Sequence, residues 1–331
     1  MMENMLKEHP KVSVIIPVYG VAAFIERCAR ALFEQTLDSI EYLFIDDCTP
    51  DRSIDILKQV LQEYPQRAQQ VTIHRMEQNS GQAKVREWGI RNATGEYVIH
   101  CDTDDWPEVE QYQEMYKAAI ENDADIVFCD YNRVSPNGEV IYYSRQLDCR
   151  DSMSMIDRMM SINHNANQLW ANLVKKALLS NISFPKGDQG EDFVIMLQVI
   201  YEAKKMYYLQ EALYNYYLNP NSMVRTVDSS KVIHRCEHYQ RNLSTIIDFL
   251  SEHKLCERYS QHINALKYYS RVILWVCIDR PECKALWKAT YPEIDGKILF
   301  NKYIPFRYKC MDIILSLHID GIINIIKKGV K

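Results

Sequence analysis

The sequence has little glycine and no glycine-rich loop of the kind that binds phosphate. Its 331 residues include 10 glycines, and one of them lies in the turn at residues 17–23, after the first β-rich run. A nicotinamide-dependent dehydrogenase needs GxGxxG in such a turn, and a P-loop nucleotidase needs GxxxxGK followed by Ser or Thr. Neither pattern is present in the sequence, so both classes are excluded.

The sequence also lacks a large excess of charge and a long apolar run. Its net charge is −5, which gives no basic surface typical of nucleic-acid binding, so no nucleic-acid partner is predicted. No stretch of about 18 apolar residues could cross a membrane, and residues 1–10 lack the apolar segment of a signal peptide. We therefore predict a cytoplasmic protein, with contact at the inner face of the cell membrane left open. The oligomeric state is undetermined.

The 10 cysteines never form a CxxC pair, and several of them lie inside apolar runs. Cys101, directly after Ile99 and His100, is an example. In an intracellular protein this pattern is typical of buried thiols, whereas disulfide frameworks are typical of small secreted domains. We therefore expect reduced cysteines.

Short β-rich runs alternate with amphipathic helical patterns over residues 12–134. Strands are predicted at 12–18, 41–47, 71–76, 96–101 and 125–134, with helices between them at about 22–35, 53–64, 82–92 and 107–121. This alternation indicates βαβ units and an α/β domain with a mostly parallel sheet flanked by helices. The turn Pro136-Asn137-Gly138 predicts a hairpin, so the sheet should be mixed.

The pattern changes near residue 227, because the chain from Asp228 onward is helical and has no strand signals. We predict a domain over 1–227 and a helical C-terminal region over 228–331. An apolar stripe near the end of the chain is flanked by basic residues, as in helices that lie in an anionic membrane surface. The stripe consists of Met311, Ile314, Leu315, Ile322, Ile325 and Ile326. Packing against the rest of the protein is the alternative.

A dense acidic cluster, Asp102-Thr103-Asp104-Asp105, stands at the end of a predicted strand. Open α/β sheets bind their ligands at this end of their strands. Three carboxylates within four residues repel one another, and Mg²⁺ or Mn²⁺ relieves the repulsion while bridging carboxylates to substrate phosphates. The alternative is a solvated turn in which Asp105 caps the helix that starts near Pro107.

A second acidic pair, Asp46-Asp47, stands at the end of another predicted strand. The pair is compatible with a structural turn in which Asp51 caps the next helix. It is equally compatible with carboxylates that accept hydrogen bonds from the N–H of a uracil ring or from ribose hydroxyls. The residues alone leave both readings open.

An ordered set of segments resembles glycosyltransferase family 2, whose members have the GT-A fold. The segments read KVSVIIPVY at 11–19, FIDDCTPD at 44–51, NSGQ at 79–82, ATGEYV at 93–98, DTDD at 102–105, GEDF at 190–193 and YYLNPNSMVR at 216–225. The resemblance covers about residues 11–226. It implies a Rossmann-like GT-A domain followed by the helical C-terminal region.

The resemblance also implies roles for individual residues. The nucleotide sugar would be bound by Pro17, Tyr19, Asp46, Asp47, Arg86, Asp102 and Thr103, the metal ion by Asp102 and Asp104 with Asp105 close by, and the general base would be Asp192. Three positions depart from the family's usual residues and leave details of the donor pocket open. These are Gly20 after the Pro-x-Tyr segment, Cys48-Thr49 after the acidic pair, and Trp88.

The activity implied by the resemblance is inverting transfer of a sugar from a nucleotide diphosphate donor, with a UDP-sugar expected. The acceptor would be a saccharide or a lipid-linked molecule, as in polysaccharide biosynthesis, and Mn²⁺ or Mg²⁺ would be the cofactor. Two alternatives remain open. One is a catalytically inactive nucleotide-sugar-binding scaffold of the same fold, and the other is a sugar-phosphate nucleotidyltransferase, although the Gly- and Arg-rich loop expected of the latter is absent.

Overall fold

The computed structural model describes residues 9–145, 151–161, 168–220 and 227–316. The chain divides into two compact units. The first comprises 1–155, 166–184 and 195–220, and the second comprises 156–165, 185–194 and 221–331. Two segments that precede residue 227 therefore group with the C-terminal helices. The simple division at residue 227 stays a prediction.

Strands and helices alternate through the first part of the described chain, and helices alone form the last part. The strands are β1 Val12–Val18, β2 Ile40–Asp46, β3 Val71–Arg75, β4 Tyr97–His100, β5 Trp106–Pro107, β6 Ile126–Val134, β7 Val140–Ser144, β8 Asn172–Lys175 and β9 Met206–Tyr217. The helices are α1 Ile25–Phe33, α2 Ser53–Gln62, α3 Gln82–Asn92, α4 Gln111–Glu121, α5 Ser152–Met159, α6 Glu191–Glu202, α7 Ser229–Glu252, α8 Ser260–Ile273, α9 Pro281–Ala289 and α10 Phe306–Ser316.

The strands form one mixed sheet in the order β3-β2-β1-β4-β8-β6-β9-β5, with β7 paired to β6. β1 is parallel to both β2 and β4, and β2 is parallel to β3. β8 is antiparallel to β4 and β6, and β6 is parallel to β9. The predicted α/β fold and mixed sheet are thereby confirmed. The hairpin is confirmed as well, since β6 and β7 are antiparallel around Gly138, whose φ is +83°.

One predicted helix begins later than its sequence pattern indicates. The pattern places the start near Pro107, but α4 begins at Gln111. Trp106 and Pro107 instead pair with Asn215 and Tyr214 of β9. Asp105 is therefore not the cap of this helix. The alternative reading, in which Asp105 caps a helix that starts near Pro107, is wrong.

A close contact with β1 explains the position of α3. Ile15 of β1 is fully buried, and a Cβ at Gly89 of α3 would lie 2.5 Å from Ile15 Cγ2. Even an alanine at Gly89 would therefore push α3 away from β1. Arg86 lies three residues earlier on the same helix.

The second unit is helical in its described residues, as the sequence predicts. Asp228 caps α7 by accepting a hydrogen bond from the backbone N–H of Lys231, 3.1 Å away. Within the described ranges, no helix combines the length and the apolar character needed to cross a bilayer. Of the predicted apolar stripe, Met311 and Leu315 are buried, as the packing alternative expects, and the part from Ile322 onward lies outside the described residues.

One cysteine pair differs from the expectation of reduced thiols. Cys277 and Cys283 form a disulfide with a Cα–Cα distance of 6.1 Å. They are brought together because a tight turn ends at Cys277 and α9 begins at Pro281. The free cysteines among the described residues include Cys28 and Cys101, both buried.

Candidate active site

The parallel strands bring the predicted site residues of the first unit to one edge of the sheet. Val18 at the end of β1 is in register with Asp46 at the end of β2. The hydroxyl of Thr103, just beyond β4, donates a hydrogen bond to the carbonyl oxygen of Pro17, 3.1 Å away. The loops after β1, β2 and β4 therefore converge, as expected of a ligand site at the carboxyl ends of parallel strands. Tyr19 is 52% exposed at this edge.

The acidic pair after β2 organises the turns around it. Asp46 is buried; it accepts hydrogen bonds from the N–H of Thr49 at 2.7 Å and from Arg75 at 2.9 Å. Asp47 accepts from the N–H groups of Ser80 and Gly81, at 2.7 and 2.9 Å. A carboxylate oxygen accepts more than one hydrogen bond, so these contacts are compatible with a nucleoside as an additional partner of Asp47.

The side chains of Thr49 and Asp51, just after β2, hold the loop that follows Tyr19. The N–H of Gly20 donates to the hydroxyl of Thr49 at 2.9 Å, and the N–H of Ala22 donates to Asp51 at 2.9 Å. Burial opposes the ionisation of Asp51, but hydrogen bonds from Ser53, Ala22 and Thr49 outweigh it and lower the pKa of Asp51 to about 2. Sequence reasoning treated Asp51 as a helix cap and missed this role.

Arg86 faces the first carboxylate of the acidic cluster. Its guanidinium is 2.9 Å from an oxygen of Asp102, and the side chains are 4% and 26% exposed respectively. The structure thus places Arg86 beside the cluster, at the carboxyl edge of the sheet. A buried cation here offsets part of the cluster's negative charge.

Asp104 is a partly buried carboxylate whose ionisation is opposed by its surroundings. Burial raises the pKa of Asp104, and the nearby charge of Asp102 raises this pKa further. The amide of Asn219 donates to one of its oxygens at 3.2 Å. Because the ionised form is disfavoured in the protein alone, a cation next to Asp104 would stabilise the carboxylate.

Asp105 fastens the acidic turn to β9. One of its oxygens accepts from the N–H of Tyr217 at 2.7 Å, and the other accepts from the hydroxyl of Tyr214 at 3.1 Å. That same hydroxyl accepts from the N–H of Asp102 at 3.1 Å. Asp105 is 1% exposed. The protein thus occupies both oxygens of Asp105, and its place in the metal set stays a prediction.

Arg27 on α1 is a further residue of this site that the sequence patterns did not reveal. It donates to the carbonyl oxygen of Asp104 at 2.6 Å. Its guanidinium lies 3.8 Å from the ring centroid of Trp106 and 4.9 Å from that of Tyr217. Cation–π contacts of this kind orient the group. An Arg on an amphipathic helix gives no sequence signal for such a role.

The carboxylates of the acidic cluster suit a metal ion that is also bound by a substrate. In the described part of the chain, no three His, Cys, Asp or Glu side chains converge into a complete metal cage. Mg²⁺ and Mn²⁺ sites in phosphate-transferring proteins need only one or two carboxylates, because phosphate oxygens and water complete the coordination. Asp102 and Asp104 fit this requirement, since Asp104 gains from a neighbouring cation and Asp102 is accessible.

Asp192 lies in the second unit, at the start of α6. Its side chain is partly exposed, and one oxygen accepts a hydrogen bond from the N–H of Phe193 at 2.8 Å. A helix N-terminus favours the ionised carboxylate. Of the two neighbouring acids, Glu191 is 7% exposed and Asp188 lies 3.5 Å from His238. The role of Asp192 as the general base stays a prediction.

The mixed α/β sheet and the acidic turns that converge at its carboxyl edge agree with a GT-A fold. The profile described as Glycosyl transferase family 2 matches residues 13–180. The chain belongs to this family and is a glycosyltransferase. The inactive scaffold and the nucleotidyltransferase lose support from this membership.

Individual relatives agree with the family assignment. The chain is 29% identical over 264 residues to an uncharacterized glycosyltransferase, EpsJ, of Bacillus subtilis, covering 77% of this chain and 74% of EpsJ. It is 27% identical over 224 residues to the glycosyltransferase GlyA of Streptococcus pneumoniae, covering 65% of this chain and 32% of GlyA. The fold matches that of S. aureus TarS residues 1–349, solved with UDP-GlcNAc, with a TM-score of 0.55 and 16% identity over 87% of this chain and 92% of that one.

Proposed function

We propose that this glycosyltransferase is inverting and metal-dependent, and that it transfers a sugar from a UDP-sugar to a saccharide or lipid-linked acceptor. The observation that carries the proposal is the acidic turn after β4, where the partly buried Asp104 lies beside Asp102 and has a raised pKa. A protein gains no stability from ionising a carboxylate in that position. A cation that binds both these carboxylates and the donor's diphosphate would stabilise the ionised carboxylates.

The donor would lie along the edge formed by the loops after β1, β2 and β4. In this proposal Pro17 and Tyr19 line the nucleotide pocket, Asp47 contacts the base, and Arg86 and Thr103 lie toward the diphosphate. The structural neighbour TarS was solved with UDP-GlcNAc, which supports uridine as the nucleoside here. The hydrogen bonds of Asp47 to Ser80 and Gly81 would keep its carboxylate in a fixed direction toward a uracil N–H.

The proposed chemistry is a single displacement at the anomeric carbon. Asp102 and Asp104 would hold Mn²⁺ or Mg²⁺, which supplies positive charge beside the departing diphosphate. Asp192 would accept the proton of the acceptor hydroxyl. The hydroxyl oxygen forms the new bond on the face opposite the departing group, so the configuration inverts.

The acceptor class is supported by relatives and by one surface of the second unit. One relative, GgaB of Bacillus subtilis, carries the name minor teichoic acid biosynthesis protein, at 25% identity over 255 residues, 73% of this chain and 27% of GgaB. Phe300 and Phe306 are 87% and 80% exposed. Lys309 donates to the carbonyl oxygen of Leu299 at 2.8 Å, which joins the two phenylalanine-bearing segments. Exposed aromatics beside basic residues suit peripheral contact with an anionic membrane.

A donor screen tests the proposal. Purified protein is incubated with Mn²⁺ and a panel of UDP- and GDP-sugars, and mass spectrometry records nucleotide release and sugar transfer. We expect UDP release that depends on the metal. Binding without any release, with every sugar and acceptor tried, would instead indicate an inactive scaffold. Formation of a nucleotide sugar from a sugar phosphate and a nucleoside triphosphate would indicate a nucleotidyltransferase.

A further inference from the structure

The loop that precedes Asp192 is bound to α7 by the buried side chain of Asn242, among other contacts. The side-chain oxygen of Asn242 accepts from the N–H of Lys186 at 2.8 Å. Its NH₂ group donates to the carbonyl oxygen of Gly187 at 2.6 Å and to that of Gln189 at 3.0 Å. Asn242 is 1% exposed. One amide thus satisfies three backbone groups of one loop, and all of these residues belong to the second unit.

The same loop approaches the α7 backbone as closely as glycine permits. A Cβ at Gly187 would lie 2.7 Å from the Cβ of His238 and 2.8 Å from its carbonyl oxygen. Gly190 has a φ of +78°, a backbone conformation that side chains other than glycine rarely adopt. The backbone path of this loop therefore depends on glycine at positions 187 and 190. The loop leads directly into α6.

Two further hydrogen bonds join the loop to the same face of α7. His238 Nδ1 accepts from the N–H of Asp188 at 2.9 Å, and Arg235 donates to the side chain of Gln189 at 3.2 Å. Burial lowers the pKa of His238, and the neighbouring His234 lowers this pKa further. The imidazole is thereby kept neutral and able to accept. Positions 235, 238 and 242 are spaced by three and four residues, so they share one helix face.

These contacts determine where α6 begins, and Asp192 is the second residue of α6. A loop with two glycines has many accessible conformations when it is not held. A carboxylate that removes a proton must lie within hydrogen-bonding reach of the reacting hydroxyl. A displacement of about 1 Å at such a group costs about 100-fold in rate.

We propose that Asn242 is a positioning residue, which acts through the loop at residues 185–191 to hold Asp192 where it can accept the acceptor's proton. The inference rests on the proposed function, in which Asp192 is the general base. It gives a residue of the C-terminal helices a role in catalysis, 50 positions beyond Asp192 in the chain.

A double-mutant cycle tests this role. The variants are Asn242→Ala, Asp192→Asn and the combination of the two. Asn242→Ala should lower kcat by about 10- to 100-fold, while the KM for the donor changes by less than about threefold, because the donor edge lies in the other unit. In the Asp192→Asn background, Asn242→Ala should lower kcat by less than about twofold, since the positioned group is already gone.

Two additional variants separate positioning from loss of structure. Asn242→Asp keeps an acceptor for the Lys186 N–H but turns a carboxylate toward two carbonyl oxygens, so kcat should again fall by about 10-fold or more in a protein that folds. Thr245→Val is the matched control, because the hydroxyl of Thr245 bonds within α7, to the carbonyl oxygen of Arg241. It should keep wild-type kcat. The unfolding temperature of each variant is measured by circular dichroism, and every assay is run below it.

The outcomes distinguish this inference from the proposed function. Wild-type kcat in both Asn242 variants, with Asp192→Asn strongly impaired, would overturn the positioning role and leave the base assignment intact. Equal loss from Asn242→Ala in both backgrounds would indicate a general structural effect and would also overturn it. Wild-type kcat in Asp192→Asn would overturn the base assignment and with it the role of Asn242.

Discussion

A carboxylate oxygen of Asp105 accepts a hydrogen bond from the backbone N–H of Tyr217, 2.7 Å away, and so ties the acidic turn after β4 to the far end of β9. The two residues are separated by 112 positions in the chain. The bond fixes the backbone on which Asp102 and Asp104 stand. Asp105 thus holds the acidic turn in place, Asp102 and Asp104 are the pair proposed to bind the cation, and the place of Asp105 in the metal set stays a prediction.

We expect Asp104→Asn to abolish turnover and the stabilisation of the fold by Mn²⁺. The asparagine keeps a side-chain oxygen for Asn219 but removes the negative charge. At about 100 times its dissociation constant, a bound ion adds roughly 2.7 kcal/mol to the stability of the wild type. Thermal unfolding with Mn²⁺ and with EDTA measures the difference. Full activity of the wild type in excess EDTA would rule out the metal requirement.

The same variant should not destabilise the metal-free protein. The pKa of Asp104 is raised above its usual 3.8, so the unfolded chain loses this proton at a lower pH than the folded protein does. The wild type without metal therefore loses stability as pH rises through the raised pKa. Asp104→Asn removes this loss, and its melting temperature at neutral pH should equal or exceed that of the wild type. A clearly lower value would contradict the electrostatic argument.

Asp47→Ala should weaken the binding of UDP by about 10-fold, equivalent to about 1.4 kcal/mol. The substitution removes the carboxylate expected at the uracil ring and frees the turn at Ser80 and Gly81. Isothermal titration calorimetry measures the affinity. Asp55→Ala on the exposed side of α2 is the matched control. Equal UDP affinity in Asp47→Ala and the wild type would remove Asp47 from the pocket.

Asp192→Asn should lower turnover by about 10²- to 10⁴-fold, the usual contribution of a general base. The asparagine keeps the size of the side chain and its ability to accept from the helix N-terminus, so the melting temperature should change little. Steady-state kinetics with saturating donor and metal provide the measurement. A variant that stays within about threefold of wild-type turnover would show that Asp192 is not the base and serves only the first turn of α6.

Asp51 should contribute stability that disappears in acid. Its pKa is about 2 in the folded protein, against a usual 3.8. The contribution is fully present above about pH 4 and is lost as pH falls toward 2. Asp51→Asn should lower stability at neutral pH by about 1–2 kcal/mol and flatten the stability curve between these pH values. Urea unfolding at several pH values measures this, with Asp55→Asn as the control. Parallel curves for Asp51→Asn and the wild type would contradict the assignment.

The exposed phenylalanines provide a test of membrane contact. We expect the wild type to float with liposomes that contain anionic lipid, and the double substitution Phe300→Ser and Phe306→Ser to reduce the bound fraction severalfold. Ile120→Ser, at a residue 50% exposed on α4, is the matched control. A truncation after Lys302 removes α10 and the apolar residues beyond it. Equal flotation of all these proteins would retire the membrane proposal.

The local repeat of apolar residues was enough to predict β1, β2, β3, β4 and β6. A buried strand and an amphipathic helix differ in short-range periodicity, which a single sequence displays directly. The meeting of the acidic residues after β2 and β4 was also predictable, because parallel strands present their carboxyl ends at one edge. Family membership then followed from the order of the segments that carry these residues.

Other features were decided only by the tertiary structure. Strands β8 and β9 carry no clear alternation in the sequence, and their pairing with β4 and β6 depends on residues far apart in the chain. The division of labour between Asp104 and Asp105 depends on Asn219, Tyr214 and Tyr217, which bond to them from β9 and the residue segment just beyond it.

The sequence by itself therefore determined the α/β class, the sheet edge at which the acidic turns meet and the residue types available there. The tertiary structure decided which carboxylate anchors a turn, which one is left under charge repulsion, and which helix face holds the loop before Asp192. The physical reason is that periodicity and turn chemistry act over a few neighbouring residues. Burial, pKa and hydrogen-bond partnership depend on groups that meet only after the chain has folded.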